Sequence, residues 1–156
     1  MSKKFKGKIC VYCQQRPSKQ GDHVFSRELF LESERANLIK VPACDECNND
    51  KSILEHYLTS LLPFGGLHTD AKEHLNTLVA PRLERNQKLK RELSAGMSYV
   101  TTVDENGNES RALAIPFHGD IYIALFEYIV KALSWFHWGT YIDNNSMVVT
   151  TALTKL

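Results

Sequence analysis

Two pairs of cysteines constrain this chain more than any other feature of its sequence. The pairs are Cys10 with Cys13 and Cys44 with Cys47, and they contain all four cysteines of the 156-residue chain. A Cys-x-x-Cys turn presents two sulfurs at the angle and distance that tetrahedral zinc requires. Two such turns fill the coordination sphere, so the sequence predicts a structural zinc ion with no open position for catalysis.

The distance between the pairs predicts what the zinc holds together. Thirty residues separate Cys13 from Cys44, more than the roughly 15 to 20 of an ordinary zinc ribbon. The zinc is therefore expected to clamp the base of an inserted structure. In so small a module its binding would supply on the order of 10 kcal/mol of folding free energy. The alternative is four free or buried cysteines without metal, but two such pairs seldom arise in one chain by chance.

Charge is unevenly distributed along the chain, although the formal net charge is only +1. Residues 1–27 carry seven Lys/Arg against one acidic residue, and residues 72–91 carry six against two. Two basic patches favour a polyanionic partner over a membrane. Two solvated surfaces with no partner would produce the same pattern, and charge alone does not decide between these interpretations.

The most apolar stretch, residues 121–138, is interrupted by Glu127, Lys131 and His137. This favours a buried core helix over a membrane span. No apolar segment follows the N-terminal lysines, so no signal peptide is expected. In a reducing compartment paired cysteines favour metal over disulfides, and the sequence therefore predicts a cytoplasmic protein with no membrane association.

Periodicity and turn signals around the cysteines predict two short strands and a helix, within an α+β fold. One strand is expected to end at residues 23–25, and a second to cover 38–41 and to be terminated by Pro42. A helix is expected from Asp45, because apolar residues over 53–62 recur at intervals of three and four.

A Pro-Phe-Gly-Gly break at residues 63–66 divides the predicted fold. We expect one module over 1–62 and a helix-rich α+β region over 63–156 that binds substrate or a partner. The elements expected in the second region are a helix over 70–95 that is bent or split near Pro81, a hairpin around Asn106-Gly107, an apolar helix from Asp120 to Gly139 and a strand over 147–152.

Five polar residues occupy fixed places relative to the cysteines. Asp22, His23 and Asn37 lie between the pairs, and Asn48 and Lys51 follow the last cysteine. The order Cys-x-x-Cys, Asp-His, Asn, Cys-x-x-Cys-Asn-x-x-Lys resembles that of the zinc-containing HNH endonucleases, over residues 10–62. The resemblance implies the ββα-metal fold, in which two strands and a helix grip one divalent cation, and it implies phosphodiester hydrolysis.

Phosphodiester hydrolysis needs an activated water and stabilisation of charge on the phosphate. By resemblance His23 is the expected general base, with the side-chain oxygen of Asn37 accepting from its other ring nitrogen. Asp22 and Asn48 offer hard oxygen ligands for a catalytic Mg²⁺ or Mn²⁺, and Lys51 is expected to contact phosphate.

The chain departs from the family pattern at two positions, and each site residue also has a structural alternative. Ser26 stands where the family often has proline, and Asn48 stands where it often has histidine. Asp22 and Asn37 also suit turns, Asn48 also suits a helix cap, and His23 alone would more often be a packed core histidine.

The sequence therefore predicts a metal-dependent endonuclease with DNA as the expected substrate. Phosphate contacts are blind to sequence, so little sequence specificity is expected. Because an unspecific nuclease is toxic, control by a protein partner or a setting in a bacterial or phage defence system is expected, although the sequence identifies neither. The residues expected to hold the DNA backbone are Arg82, Arg85, Lys88 and Arg91.

Two other interpretations stay open. The first is a zinc-ribbon module that binds nucleic acid or protein without catalysis. The second is a structural subunit that docks or self-associates through the aromatic segment 121–141, where Trp135, Phe136 and Trp138 lie close together.

Overall fold

The polypeptide divides into two units. One combines the residues up to Thr59 with those from Gly119 onward, and the other comprises Ser60–His118. The computed structural model describes residues 4–66, 68–143 and 145–150. The first boundary lies close to the expected one, whereas the C-terminal helix groups with the cysteine-containing unit and not with the region after residue 62.

The first unit is built on two antiparallel strands and the helix that follows them. Strand β1 is Gln20–His23 and strand β2 is Lys40–Ala43, in a register that pairs Gln20 with Ala43 and His23 with Lys40. Helix α1 covers Asp45–Gly65. The connection between the strands contains two short 3₁₀ turns, Arg27–Leu29 and Glu32–Glu34.

Two prolines occur inside the elements that they were expected to terminate. Pro42 lies within β2, where it faces Gly21 and its carbonyl accepts from the backbone N–H of Val11 at 3.0 Å. A two-stranded sheet has only edge strands, in which a missing N–H is tolerated. Pro63 lies within α1, which loses one backbone hydrogen bond there but continues to Gly65.

The apolar segment expected as a core helix is helix α5, Gly119–Trp138. Its buried stripe includes Leu125, Ile129 and Ala132, spaced by four and three residues, and the helix packs on β2. Gly139 ends it in the left-handed conformation with φ of 65°, as its sequence predicts.

The second unit begins with a helical run that contains an irregular turn. Helix α2 covers Thr69–His74, a π-helical turn covers Leu75–Val79, and helix α3 covers Ala80–Arg85. The run breaks at Asn86, whose side chain accepts from the backbone N–H of Leu89 at 3.1 Å. The π-helical turn ends two residues before Pro81, close to the expected bend, and the run is interrupted a second time at Asn86.

Helix α4, Gln87–Gly96, leads into the hairpin that the Asn-Gly signal predicts. Strands β3, Ser98–Val103, and β4, Glu109–Ala114, pair antiparallel. The carboxylate of Asp104 accepts from the backbone N–H groups of Asn106 and Asn108, and Gly107 has φ of 82°.

The last two sequence expectations concern a C-terminal strand and a membrane span. Residues 147–150 form no strand, and the remainder of the strand expected over 147–152 lies outside the described residues. Within the described part of the chain, every helix is too short or too polar to cross a lipid bilayer.

The close approach of Phe5 to β1 predicts that a side chain at Gly21 lowers stability. A Cβ at Gly21 would lie 2.5 Å from the buried Phe5 ring, whereas a Cβ at Gly119 would meet no atom within 4 Å. We expect Gly21→Ala to lower the free energy of unfolding by about 1–3 kcal/mol, and Gly119→Ala to change it by less than about 0.5 kcal/mol. Urea unfolding measures both, and equal stability of the two variants would contradict the packing of Phe5 on Gly21.

Candidate functional site

The four cysteines converge on one point of the first unit. Their Sγ atoms all lie within 4.8 Å of one another, and those of Cys13 and Cys44 are 3.9 Å apart. Zinc–sulfur bonds of about 2.3 Å in a tetrahedron place neighbouring sulfurs about 3.8 Å apart. The cluster therefore suits a structural metal ion such as zinc. Among the described residues it is the sole group of three or more His, Cys, Asp or Glu side chains placed to share a metal.

Local backbone geometry presents the sulfurs. After Cys10 the chain reverses, with the Gln14 N–H donating to the Cys10 carbonyl at 2.9 Å and Gln14 in a left-handed conformation. Cys44 directly precedes α1 and Cys47 lies in its first turn, so the helix start delivers the second pair. Cys10, Cys44 and Cys47 are buried.

The surroundings shift the pKa values of Cys10, Cys13 and Cys47 in different directions. Burial raises the pKa of Cys10 and of Cys47. Burial acts in the same direction on Cys13, but hydrogen bonds from the backbone N–H groups of Gln15 and Arg16 and with the side chains of Cys10 and Cys47 together outweigh it and lower the pKa of Cys13 to about 6. Metal binding requires all four sulfurs to be deprotonated. The positive charge of a bound metal stabilises the thiolates and so offsets the effect of burial, which disfavours them.

Arg16 provides positive charge next to the sulfurs. Its guanidinium lies 3.8 Å from the Cys47 sulfur and forms an ion pair with Glu46. Hydrogen bonds to Cys44 and Cys47 raise the pKa of Arg16. Four thiolates around one divalent ion carry two excess negative charges, and Arg16 offsets part of them.

A second cluster of charges is centred on Lys51, whose side chain has no solvent exposure. Its ammonium nitrogen lies 2.5 Å from the Glu55 carboxylate and 3.1 Å from Oδ2 of Asp22, and it donates to the backbone carbonyl of His23 at 2.7 Å. Lys51 thus uses three donors to join α1 to β1. Contact with a phosphate, as expected from the sequence, would require this enclosed ammonium to be uncovered.

Tyr12 completes the cluster from inside the first cysteine turn. Its hydroxyl donates to Oδ2 of Asp22 at 2.6 Å. Burial, followed by the charge of Asp22, raises the pKa of Tyr12 far above its usual range, which keeps the phenol protonated as a donor. Burial also raises the pKa of Glu55, while the Lys51 ammonium opposes that shift.

His23 follows Asp22 as the last residue of β1, where the alternation of side chains along the strand ends. Its imidazole is half-buried. Burial lowers the pKa of His23 from 6.5, and the positive charge of Lys40 lowers it further. A neutral imidazole is the form that accepts a proton or binds a metal.

The two asparagines of the motif lie in different surroundings. Asn48 is half-buried in the first turns of α1, one turn before Lys51 and on the same helix face. Asn37 is exposed in a left-handed conformation with φ of 61°. Across the part of the chain that is described, the Asn37 side chain makes no hydrogen bond to His23, so the expected support of the imidazole is not formed here.

The basic residues expected to hold DNA lie in the second unit. Arg82 and Arg85 belong to α3, and Lys88 and Arg91 belong to α4 on the far side of the break at Asn86. All except Arg82, which is half-buried, are exposed.

Sequence reasoning did not identify Tyr12 and Glu55 as parts of the site. The sequence did contain a signal for Glu55, because it lies four residues after Lys51 and therefore on the same face of the predicted helix. Tyr12 had none beyond its place between Cys10 and Cys13, since its acceptor Asp22 is brought near only by folding.

Comparison of the chain with models of protein families, with curated proteins and with solved structures found no match.

The cysteine cluster predicts a metal content. Purified protein should contain about one zinc per chain by atomic absorption. Cys47→Ser should reduce that content and lower the free energy of unfolding by several kcal/mol, because zinc supplies on the order of 10 kcal/mol in small modules. Loss of zinc with an unchanged unfolding transition would contradict a structural role for the metal.

The buried ammonium predicts a large effect of Lys51→Met on stability. Removing it leaves Asp22 and Glu55 partly buried without a counter-charge, which should lower the free energy of unfolding by about 3–5 kcal/mol. The matched variant Lys88→Met removes an exposed ammonium 3.9 Å from Glu92, with an expected change of at most about 1 kcal/mol. Similar losses in the two variants by urea unfolding would rule out this view of Lys51.

Proposed function

We propose that the chain is a metal-dependent endonuclease of the HNH type that hydrolyses phosphodiester bonds in DNA. The observation that carries the proposal is the arrangement of β1, β2 and α1 behind the four-cysteine cluster. That arrangement holds Asp22 and His23 on neighbouring positions of one strand, next to the helix that bears Asn48. In this proposal the cysteines bind zinc for stability and the polar residues perform the chemistry.

His23 is proposed to accept the proton of the attacking water. Its lowered pKa supports this, because the imidazole is neutral near pH 7. Asp22 and Asn48 are proposed to hold a Mg²⁺ or Mn²⁺ ion, with water and phosphate oxygens completing its coordination. When bound, such an ion stabilises charge on the phosphate and on the leaving oxygen.

Lys51 is proposed to position the site and not to contact phosphate. Its buried ammonium contacts both the Asp22 carboxylate and the His23 backbone carbonyl, and therefore holds these two neighbouring residues in place. Tyr12 holds the same carboxylate oxygen and leaves the second oxygen of Asp22 for a cation. The tautomer-fixing role of Asn37 stays a prediction that requires its loop to turn toward His23.

Arg85, Lys88 and Arg91 are exposed cations that can pair with phosphates without reading bases, which supports low sequence specificity. Control by a protein partner is part of the proposal, because an unspecific nuclease is toxic. The exposed aromatic residues Trp138 and Tyr141 offer it a surface.

One observation favours a second candidate, a zinc-clamped binding module without catalysis. Oδ2 of Asp22 is already engaged by both Lys51 and Tyr12, as it would be in a purely structural ion pair. The two candidates differ in whether His23 and Asp22 affect cleavage.

Cleavage of supercoiled plasmid tests the proposal. Wild-type protein is incubated with Mg²⁺, Mn²⁺ or no added divalent ion, beside His23→Ala, Asp22→Ala and the control His118→Ala. His23→Ala should reduce the rate by about 10²–10⁴-fold with zinc content and melting temperature unchanged. Asp22→Ala should instead raise the Mg²⁺ or Mn²⁺ concentration needed for half-maximal rate, because it removes a ligand. His118→Ala, an exposed histidine of the second unit, should cleave like wild type.

Absence of metal-dependent cleavage by wild-type protein with a full zinc content would support the binding module. Cleavage by His23→Ala at the wild-type rate would end the assignment of His23 as the base.

A further inference from the structure

A cavity of about 500 Å³ lies in the first unit along one face of the β1–β2 hairpin. Its volume is within the range of about 300–1,000 Å³ that ligand sites occupy. The metal cluster does not line it, and neither do the charged groups around Lys51. Its lining includes Lys4, Phe5, Gly21, Asn37, Lys40 and Phe136.

The cavity follows the β1–β2 hairpin, with Gln20 and Gly21 from β1 and Lys40 from β2 in its lining. Lys40 lines the cavity and is the register partner of His23. His23 does not itself line the cavity, but the cavity reaches the end of the hairpin at which His23 pairs with Lys40.

The charges around the cavity are positive. Lys4 and Lys40 line it, and the ammonium groups of Lys4 and Lys8 lie 5.4 and 5.9 Å from the centroid of the Phe5 ring. No acidic side chain occurs among the described residues that line the cavity. This surface suits an anion such as a phosphate.

The cavity also offers apolar and amide groups suited to a planar ring. Phe5 packs over Gly21 at its floor, in space that a side chain at position 21 would need. Phe136, from α5, is 46% exposed despite lining the cavity, so part of its ring is free to be covered. Asn37 adds an exposed amide that can donate and accept hydrogen bonds. Bases stack on aromatic side chains of this kind.

We propose that this cavity is a nucleotide subsite, which holds one unpaired nucleotide of the DNA strand beside the phosphate cleaved at His23. Lys4 and Lys40 bind its phosphate and Phe136 stacks on its base. A base inside a duplex cannot enter without leaving its stack, so the site selects single-stranded or splayed DNA. The inference rests on the proposed function for the position of the cleaved phosphate, but binding itself needs no catalysis.

Binding of a labelled single-stranded oligonucleotide and of its duplex, without added divalent ion, tests the subsite by fluorescence anisotropy. Wild-type protein should bind the single strand more tightly than the duplex. Phe136→Ala should weaken single-strand binding by at least about fivefold, the lower end for one stacked base, and should abolish the preference. Trp138→Ala, two residues on in α5 and 75% exposed outside the cavity, is the matched control and should bind within twofold of wild type.

Lys40→Ala tests the phosphate contact. It should weaken single-strand binding and reduce the slope of log K against log salt by about 0.7, the value for one phosphate contact. Lys6→Ala removes the same charge from an exposed lysine that does not line the cavity and should leave the slope unchanged. Phe136→Leu, which keeps an apolar side chain but loses the ring, should resemble Phe136→Ala if stacking is responsible. Zinc content and melting temperature identify any variant that fails to fold.

The outcomes separate the two proposals. If Phe136→Ala, Phe136→Leu and Lys40→Ala all bind like their controls while wild-type protein cleaves plasmid, the subsite is rejected and the nuclease assignment stands. If binding is lost selectively for the single strand, but wild-type protein cleaves neither plasmid nor the single-stranded oligonucleotide with Mg²⁺ or Mn²⁺, the subsite stands and the nuclease assignment fails. Equal loss of single-strand and duplex binding in Phe136→Ala also rejects the subsite, because a stacked unpaired base predicts a selective effect.

Discussion

The buried ammonium of Lys51 is the interaction on which the proposed active site depends. A fully enclosed charge is expensive unless it is paired and hydrogen-bonded. Lys51 satisfies this requirement with two carboxylates, Asp22 and Glu55, and one backbone carbonyl, that of His23. Because these partners belong to β1 and α1, the strand and the helix cannot shift relative to each other without exposing an unpaired charge. The positions of Asp22 and His23 follow from that constraint.

The cysteine cluster and the Lys51 cluster fasten the same small set of elements at two places. The cysteines join the first turn, the end of β2 and the start of α1, whereas Lys51 joins α1 to β1 further along. Tyr12 connects the two clusters, since it lies between Cys10 and Cys13 and donates to Asp22. Its ring also meets the edge of Tyr128 from α5, with centroids 4.8 Å apart. Site residues supported in this way keep their geometry better than residues on free loops.

Much of the fold was predictable where local chemistry decides it. The Asn-Gly hairpin, the helix from Asp45 and the stop at Gly139 follow from turn preferences, helical periodicity and the left-handed conformation that glycine adopts. The element ends predicted at Pro42 and Pro63 were wrong, because the effect of a proline depends on its position in the strand or helix. Pro42 is tolerated in an edge strand, and Pro63 only weakens the last turns of α1. The grouping of α5 with the cysteine unit depends on contacts between distant parts of the chain, for which local sequence offers no signal.

The sequence by itself predicted that the four cysteines form one cluster suited to a metal ion, because a Cys-x-x-Cys turn positions its sulfurs through local backbone geometry. It also predicts His23 as a base and Asp22 and Asn48 as oxygen ligands, which stay predictions. Only the tertiary structure decided that Lys51 is enclosed and that Tyr12 and Glu55 share its cluster, because burial depends on how β1 packs on α1. The cavity along the hairpin has the same origin. Lys4, Lys40 and Phe136 are far apart along the chain, and they surround one space only after the N-terminal segment, the hairpin and α5 have packed together.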